Sequence, residues 1–169
     1  MMRRRLKSGP SRGSHLPVLM KLVQMTSGPI LELGYGMYST HYLHWACYPT
    51  NRTLVTYEGN AGWFEFAKQF EREYHTVQYV TDWESLDLST PWSIAFLDHE
   101  DDRRVLEARK LVHAEYVVLH DADGATDRKR NPRYSSLRSV FKYHYQYCGP
   151  RPHTAVFSNV HNVAELRIP

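Results

Sequence analysis

One pattern limits the architectures open to this chain more than any other. Short apolar runs stop at glycine or acid, and each is followed by a helix-like stretch. The first run, PILEL at 29–33, reaches a turn at Gly34, Tyr35 and Gly36 and continues into STHYLHWACY, a helical segment expected to end before Pro49. RTLVTYE (52–58) is a second strand, and AGWFEFAKQFERE (61–73) a second helix with Trp63, Phe66, Ala67 and Phe70 on one face. HTVQYV (75–80), WSIAFLD (92–98) and AEYVVLHD (114–121) read as further strands, with the amphipathic RRVLEARKLV (103–112) between the last two. A short helix over Leu16–Met25, with Ser14 as its N-cap, precedes them all.

The end of the chain reads differently. SSLRSVFKYHY (135–145) is expected to be helical, and the β-rich stretches 153–158 and 163–168 lie too close together for a parallel crossover, so they are expected to pair antiparallel. The fold class implied is α/β: a Rossmann-like, doubly wound, mostly parallel seven-stranded sheet with a C-terminal antiparallel hairpin. Residues 15–169 are expected to form one such domain behind a flexible basic arm at 1–14.

Charge supports that division. Six of the 21 Lys/Arg and none of the 18 Asp/Glu precede Glu32, so the remainder carries a net charge of -3 although the whole chain is +3. No apolar stretch approaches the ~20 residues of a spanning helix. Cys47 and Cys148 are the only cysteines and are expected to be free thiols, which fits a reducing, cytoplasmic setting.

In a sheet of this kind ligands bind beyond the carboxyl ends of the strands. The polar residues placed there are Gly34, Gly36, Glu58, Asp82, Asp98, His99, His120 and Asp121. Glu58 follows Gly36 by 22 positions, near the spacing that sets a carboxylate on ribose hydroxyls. Ser39 stands where a dinucleotide site would have its third glycine, and the acids Glu32 and Glu58 repel a diphosphate. A cationic sulfonium with an amino-acid tail, S-adenosylmethionine, suits this rim better than a nicotinamide cofactor.

ILELGYGMYST, VTYEGNAGWFEFAK and WSIAFLDHEDDR with VVLHDAD together resemble the class I S-adenosylmethionine-dependent methyltransferases, and FLDH resembles their catechol O-methyltransferase-like branch. The resemblance covers about residues 28–124. It implies that Glu32, Gly34 and Gly36 line the methionine moiety with Tyr38 and Ser39 near them, and that Glu58 binds ribose. It also implies Asp82, Trp83 and His99 around adenine, and Asp98 beside the cofactor. Asp98, His120 and Asp121 would form the reaction centre. Asp98 and Asp121 match two magnesium ligands of that branch, with Asp123 as a substitute third.

The sequence departs from the branch at Ala122, where its third ligand is Asn, and at Asp101, where its catalytic residue is Lys. His120 or His99 could supply a metal-free base instead. The function implied is methylation of a small-molecule oxygen. The alternative is a catalytically silent nucleoside-binding or partner-binding module of the same fold. A small-molecule acceptor is favoured; nucleic acid could engage the basic arm and the Arg128–Arg133 loop, no membrane contact is expected, and self-association stays open.

Overall fold

The computed structural model describes residues 13–100, 103–123 and 132–168. Helix α1 (Leu16–Met25) leads into β1 (Ile30–Leu33), followed by α2 (Ser39–Cys47), β2 (Leu54–Glu58), α3 (Ala61–Ala67) and β3 (His75–Tyr79). Then come β4 (Ile94–Leu97), α4 (Arg104–Lys110), β5 (Tyr116–Leu119), the single turn α5 (Pro132–Ser135), β6 (Tyr143–Tyr147) and β7 (Thr154–Ser158). The sheet runs β3-β2-β1-β4-β5-β7-β6, with β1 to β5 parallel and β7 antiparallel to both β5 and β6. This is the seven-stranded, doubly wound, Rossmann-like architecture the alternation implied. No helix among the described residues is long and apolar enough to cross a membrane.

Strands covered on both faces must be apolar at consecutive positions, and β1, β4 and β5 are buried throughout. Their period of two sorts the side chains into two cores. Leu31, Leu33, Ala95, Leu97, Val117 and Leu119 pack with Trp83, Trp92 and Leu111 on one face. Ile30, Ile94, Phe96, Tyr116 and Val118 pack with Leu19 and Leu22 of α1 and Leu43 of α2 on the other. Continuing the same period, Glu32, Asp98 and His120 belong to the α1/α2 face. Below the sheet, Arg52 ties α1 to the strands by donating to Val23 O, Gly28 O, Thr26 Oγ1 and Ser93 Oγ.

Three local expectations are corrected. The hairpin is β6 with β7, so 143–147 is strand, and Val163–Glu165 is a 3-10 helix. YHYQY alternates β-favouring rings with period two, and β7 already has a neighbour on each edge, which leaves no position for a strand from 163–168. Ser14 does not cap α1: the cap residue is His15, without a side-chain bond, and Ser14 is buried with its hydroxyl donating to Pro152 O. On α3 only Ala67 is buried, while Trp63 and Phe66 remain about half exposed at 47% and 54%, Trp63 lining the cleft at the end of the sheet instead of its core. Cys47 and Cys148 are free, as expected. Residues 1–12 and 124–131, which hold most of the basic arm and most of the Arg128–Arg133 loop, lie outside the described residues, as does Asp101.

A polar seam runs beneath the β1 to α2 turn. Fully buried Glu32 accepts from Thr40 Oγ1 (2.9 Å) and Thr56 Oγ1 (2.7 Å), and Thr56 also meets His75 Nε2, whose Nδ1 lies 3.0 Å from His44 Nδ1. Burial pushes Glu32 up to about 7, only partly offset by the hydroxyls of Ser39, Thr56 and Thr40, while burial pushes His75 down to about 3. Because the folded pKa of Glu32 lies above its unfolded value, the unfolded chain sheds that proton first. Its contribution to stability is therefore full below about pH 4.5 and is lost as pH rises toward 7. For His75 the unfolded chain takes up the proton first, so that contribution is lost as pH falls from about 6.5 toward 3. Glu32→Gln is expected to melt near the wild-type temperature at about pH 4.5 and several degrees higher at about pH 8. Thermal melts across that range check this, and an offset independent of pH would overturn the assignment.

Candidate functional site

The bare backbone of the glycine turn is required first by the protein itself. Gly34 has a φ of 93°, in the left-handed region, and a Cβ there would lie 2.6 Å from the backbone nitrogen of His99. The exit of β1 thus passes directly over the exit of β4, which only glycine permits. A Cβ at Gly36 would collide with the Ser39 hydroxyl at the start of α2. Behind the turn, Gly36 N donates to Thr40 Oγ1, and that hydroxyl donates to Glu32. Glu32 consequently supports the turn from below, and Ser39 is likewise buried rather than facing a ligand.

Above the turn lies a cleft of about 350 Å³ lined by Gly36, Met37, Tyr38, Trp63, Asp98 and His120, together with His15, Tyr35, Asp121 and Pro152. It opens at the carboxyl ends of β1, β4 and β5, where the strand order reverses direction around β1. Asp98, His120 and Asp121 are thus brought together, and Tyr38 lines the same cleft. His120 Nδ1 lies 3.1 Å from Asp98 Oδ1 and 3.8 Å from Asp121 Oδ1. Burial alone would raise Asp98, but the hydrogen bond and charge of His120, with Arg104 and His15, hold its carboxyl below the usual range. Asp121 sits at a φ of 52°, a conformation unusual outside glycine and common at functional turns.

Arg104 organises this rim from α4. Its buried guanidinium donates to His99 O and His120 O and pairs with Asp98 Oδ1 at 3.1 Å and Asp121 Oδ2 at 3.5 Å. A fixed cation therefore already bridges the two aspartates. Asp123 turns away to His153 Nδ1 (3.2 Å) and Arg151 (3.6 Å). The three carboxylates do not converge, and the oxygen-rich octahedral shell that magnesium needs is not assembled from Asp98, Asp121 and Asp123.

The side expected to hold a nucleoside is built in part. Glu58 is buried at the end of β2, accepting from Tyr35 N (2.7 Å) on one oxygen and Asn60 N (2.6 Å) on the other. Held this way it keeps a lone pair on each oxygen for a diol. Asp82 is exposed, and its carboxylate accepts from Glu84 N within its own loop. Trp83 and His99 are in contact, with ring centroids 4.5 Å apart, and Trp83 also abuts Gly59. Two rings flanking a purine must stand roughly 7 Å apart to leave a stacking distance on each side. Any base bound beside Glu58 must therefore lie outside this pair or lift Trp83 from it. At the cleft the fit to a sulfonium is better: carboxylates and the faces of Tyr35, Tyr38 and Trp63 are suitable neighbours for a soft cation.

Sequence reasoning missed His15 and Arg104. The period of two along β4 and β5 was the available signal for His15, since it directs Asp98 and His120 to the face that α1 covers. Nothing local marks Arg104, whose partners are backbone oxygens and side chains from two strand ends.

No protein-family model matches the sequence, and no curated protein sequence matches it. Solved structures do. Rv0187 from MTB, solved with cofactor bound, is 16% identical with a TM-score of 0.63, over 93% of this chain and 84% of that one. An O-methyltransferase from Bacillus cereus in complex with SAH is 15% identical with a TM-score of 0.62, over 91% and 83%. The N-terminal domain of human METTL16 in complex with SAH is 12% identical with a TM-score of 0.58, over 94% and 74%. Strand order, the glycine turn and these likenesses agree: this chain has the fold of the class I S-adenosylmethionine-dependent methyltransferases.

Proposed function

We propose that the protein is an S-adenosylmethionine-dependent methyltransferase acting on a hydroxyl of a small molecule. The observation that carries this reading is the cleft itself: two carboxylates, two imidazoles and three aromatic side chains at the switch point of the sheet, next to a carboxylate pre-set by two amides. Two of the similar structures were solved with SAH, and one of those is an O-methyltransferase.

Glu58 would hold the ribose hydroxyls, and the glycine turn with Met37 and Tyr38 would flank the amino-acid end. Asp98 and Asp121 would favour the positive sulfur electrostatically. When bound, S-adenosylmethionine supplies an already activated methyl group, so this chain has chiefly to align the partners and exclude water. Asp98, His120 and Asp121 present acceptors to the hydroxyl proton of a substrate in the same cleft. A volume of about 350 Å³ lies at the lower end for ligand pockets, which favours a small acceptor over a polymer segment.

The Trp83–His99 contact favours a second reading, a module of this fold that does not turn over. Calorimetry with S-adenosylmethionine, SAH and NAD separates the nucleoside classes. Binding of the first two and not of NAD is expected, with affinity falling at least about tenfold in Glu58→Ala through loss of charge-assisted hydrogen bonds. Preferential binding of NAD would refute the proposal. A methylation assay over a panel of small hydroxyl acceptors addresses the second reading: turnover is expected, unaltered by added magnesium and reduced about 100-fold or more in Asp98→Ala. Cofactor binding without transfer to any acceptor would support the silent module.

A further inference from the structure

Ser14 fixes the proton on His120. Its hydroxyl lies 2.6 Å from Pro152 O and donates there, so the contact at 3.2 Å to His120 Nε2 has the imidazole as donor. With Nε2 carrying hydrogen, a neutral His120 presents the Nδ1 lone pair to Asp98 Oδ1 at 3.1 Å. Two lone pairs at that distance repel, so a positive centre belongs between them, either a second ring proton or a bound cation.

His15 provides an independent indication. It is 1% exposed, yet neither ring nitrogen has a hydrogen-bond partner, an arrangement that costs stability unless something else satisfies it. The ring lies edge-on to His120 with centroids 4.4 Å apart and lines the same cleft. A neutral imidazole carries one nitrogen lone pair, and here neither nitrogen is engaged.

We propose that His15, Asp98 and His120 form a binding site for a divalent transition-metal ion, zinc being the best match, at the floor of the cleft. One ligand atom from each lies within 4.8 Å of the others, the only such triad among the described residues. Tetrahedral zinc with bonds of ~2.0–2.1 Å places adjacent ligand atoms ~3.3 Å apart, so the His120–Asp98 edge at 3.1 Å is already close to size, and the edges to His15 are no longer than 4.8 Å. Two imidazoles and a carboxylate suit zinc, cobalt or iron rather than magnesium. The hydrogen bond from His120 Nε2 to Ser14 is the outer-shell support such ligands require. Asp121 Oδ1 or water would complete the shell on the side facing the cleft, while Arg104, 3.1 Å from Asp98 Oδ1, offsets part of the carboxylate charge.

This goes beyond the proposed methyl transfer and does not depend on it, since the probes are metal salts with no cofactor added. The full chain, stripped with chelator, is titrated with zinc and cobalt chloride by calorimetry, and cobalt binding is also followed through its visible d–d absorption. One equivalent is expected, with a four- or five-coordinate cobalt spectrum and a higher melting temperature. His15→Ala and Asp98→Asn are each expected to lose at least about tenfold in affinity. His161→Ala, which removes an exposed ring paired with Glu115 elsewhere, is expected to bind as wild type. Should His15→Ala fail to fold, His15→Phe fills the same space and carries the comparison. Absence of zinc binding by the wild type, retention of wild-type affinity without His15, or equal loss in His161→Ala would each overturn the proposal.

Discussion

The site depends on how closely the chain leaving β1 can approach the chain leaving β4. Gly34 allows the two backbones to meet where any Cβ would intrude, and that contact fixes Asp98 and His99 relative to the turn into α2. The glycine is thus a packing requirement before it is a ligand requirement. Glu32 reinforces it from beneath, through Thr40, by a carboxyl group whose pKa burial pushes up to about 7.

Arg104 makes the corresponding connection between β4 and β5. Its guanidinium binds the carbonyls of His99 and His120 and the carboxylates of Asp98 and Asp121. A permanent, buried cation at that point changes the chemistry available to the aspartates, because a hard divalent ion between them would have to displace it. The rim combines one fixed positive charge with a cleft that attracts others, and the separation between them is only the width of a carboxylate.

Much of the architecture was legible because it follows from local periodicity. Runs such as ILEL and IAFL, apolar at every position but Glu32 and buried throughout, read as central strands, and Glu58, 22 positions after Gly36, falls at the end of β2. The C-terminal elements were misread for an equally physical reason. YHYQY satisfies helix and strand patterns alike over five residues, and its pairing is decided by the free edge of β7. Nor does local spacing show that the Trp83 and His99 rings lie in contact, without a space between them.

The amino-acid sequence by itself determined the order of strands and helices from α1 to β5, the sheet class, and the set of polar residues at the carboxyl rim, since each is set by patterns spanning a few neighbours. Only the tertiary structure decided which of those residues meet. Ser14 and His15 lie more than one hundred positions from His120, and Arg104 reaches across two strand ends, so these contacts arise from the packing of α1 and α4 against opposite faces of the sheet. Distances of that kind are fixed by the closure of the whole core and leave no trace in local spacing.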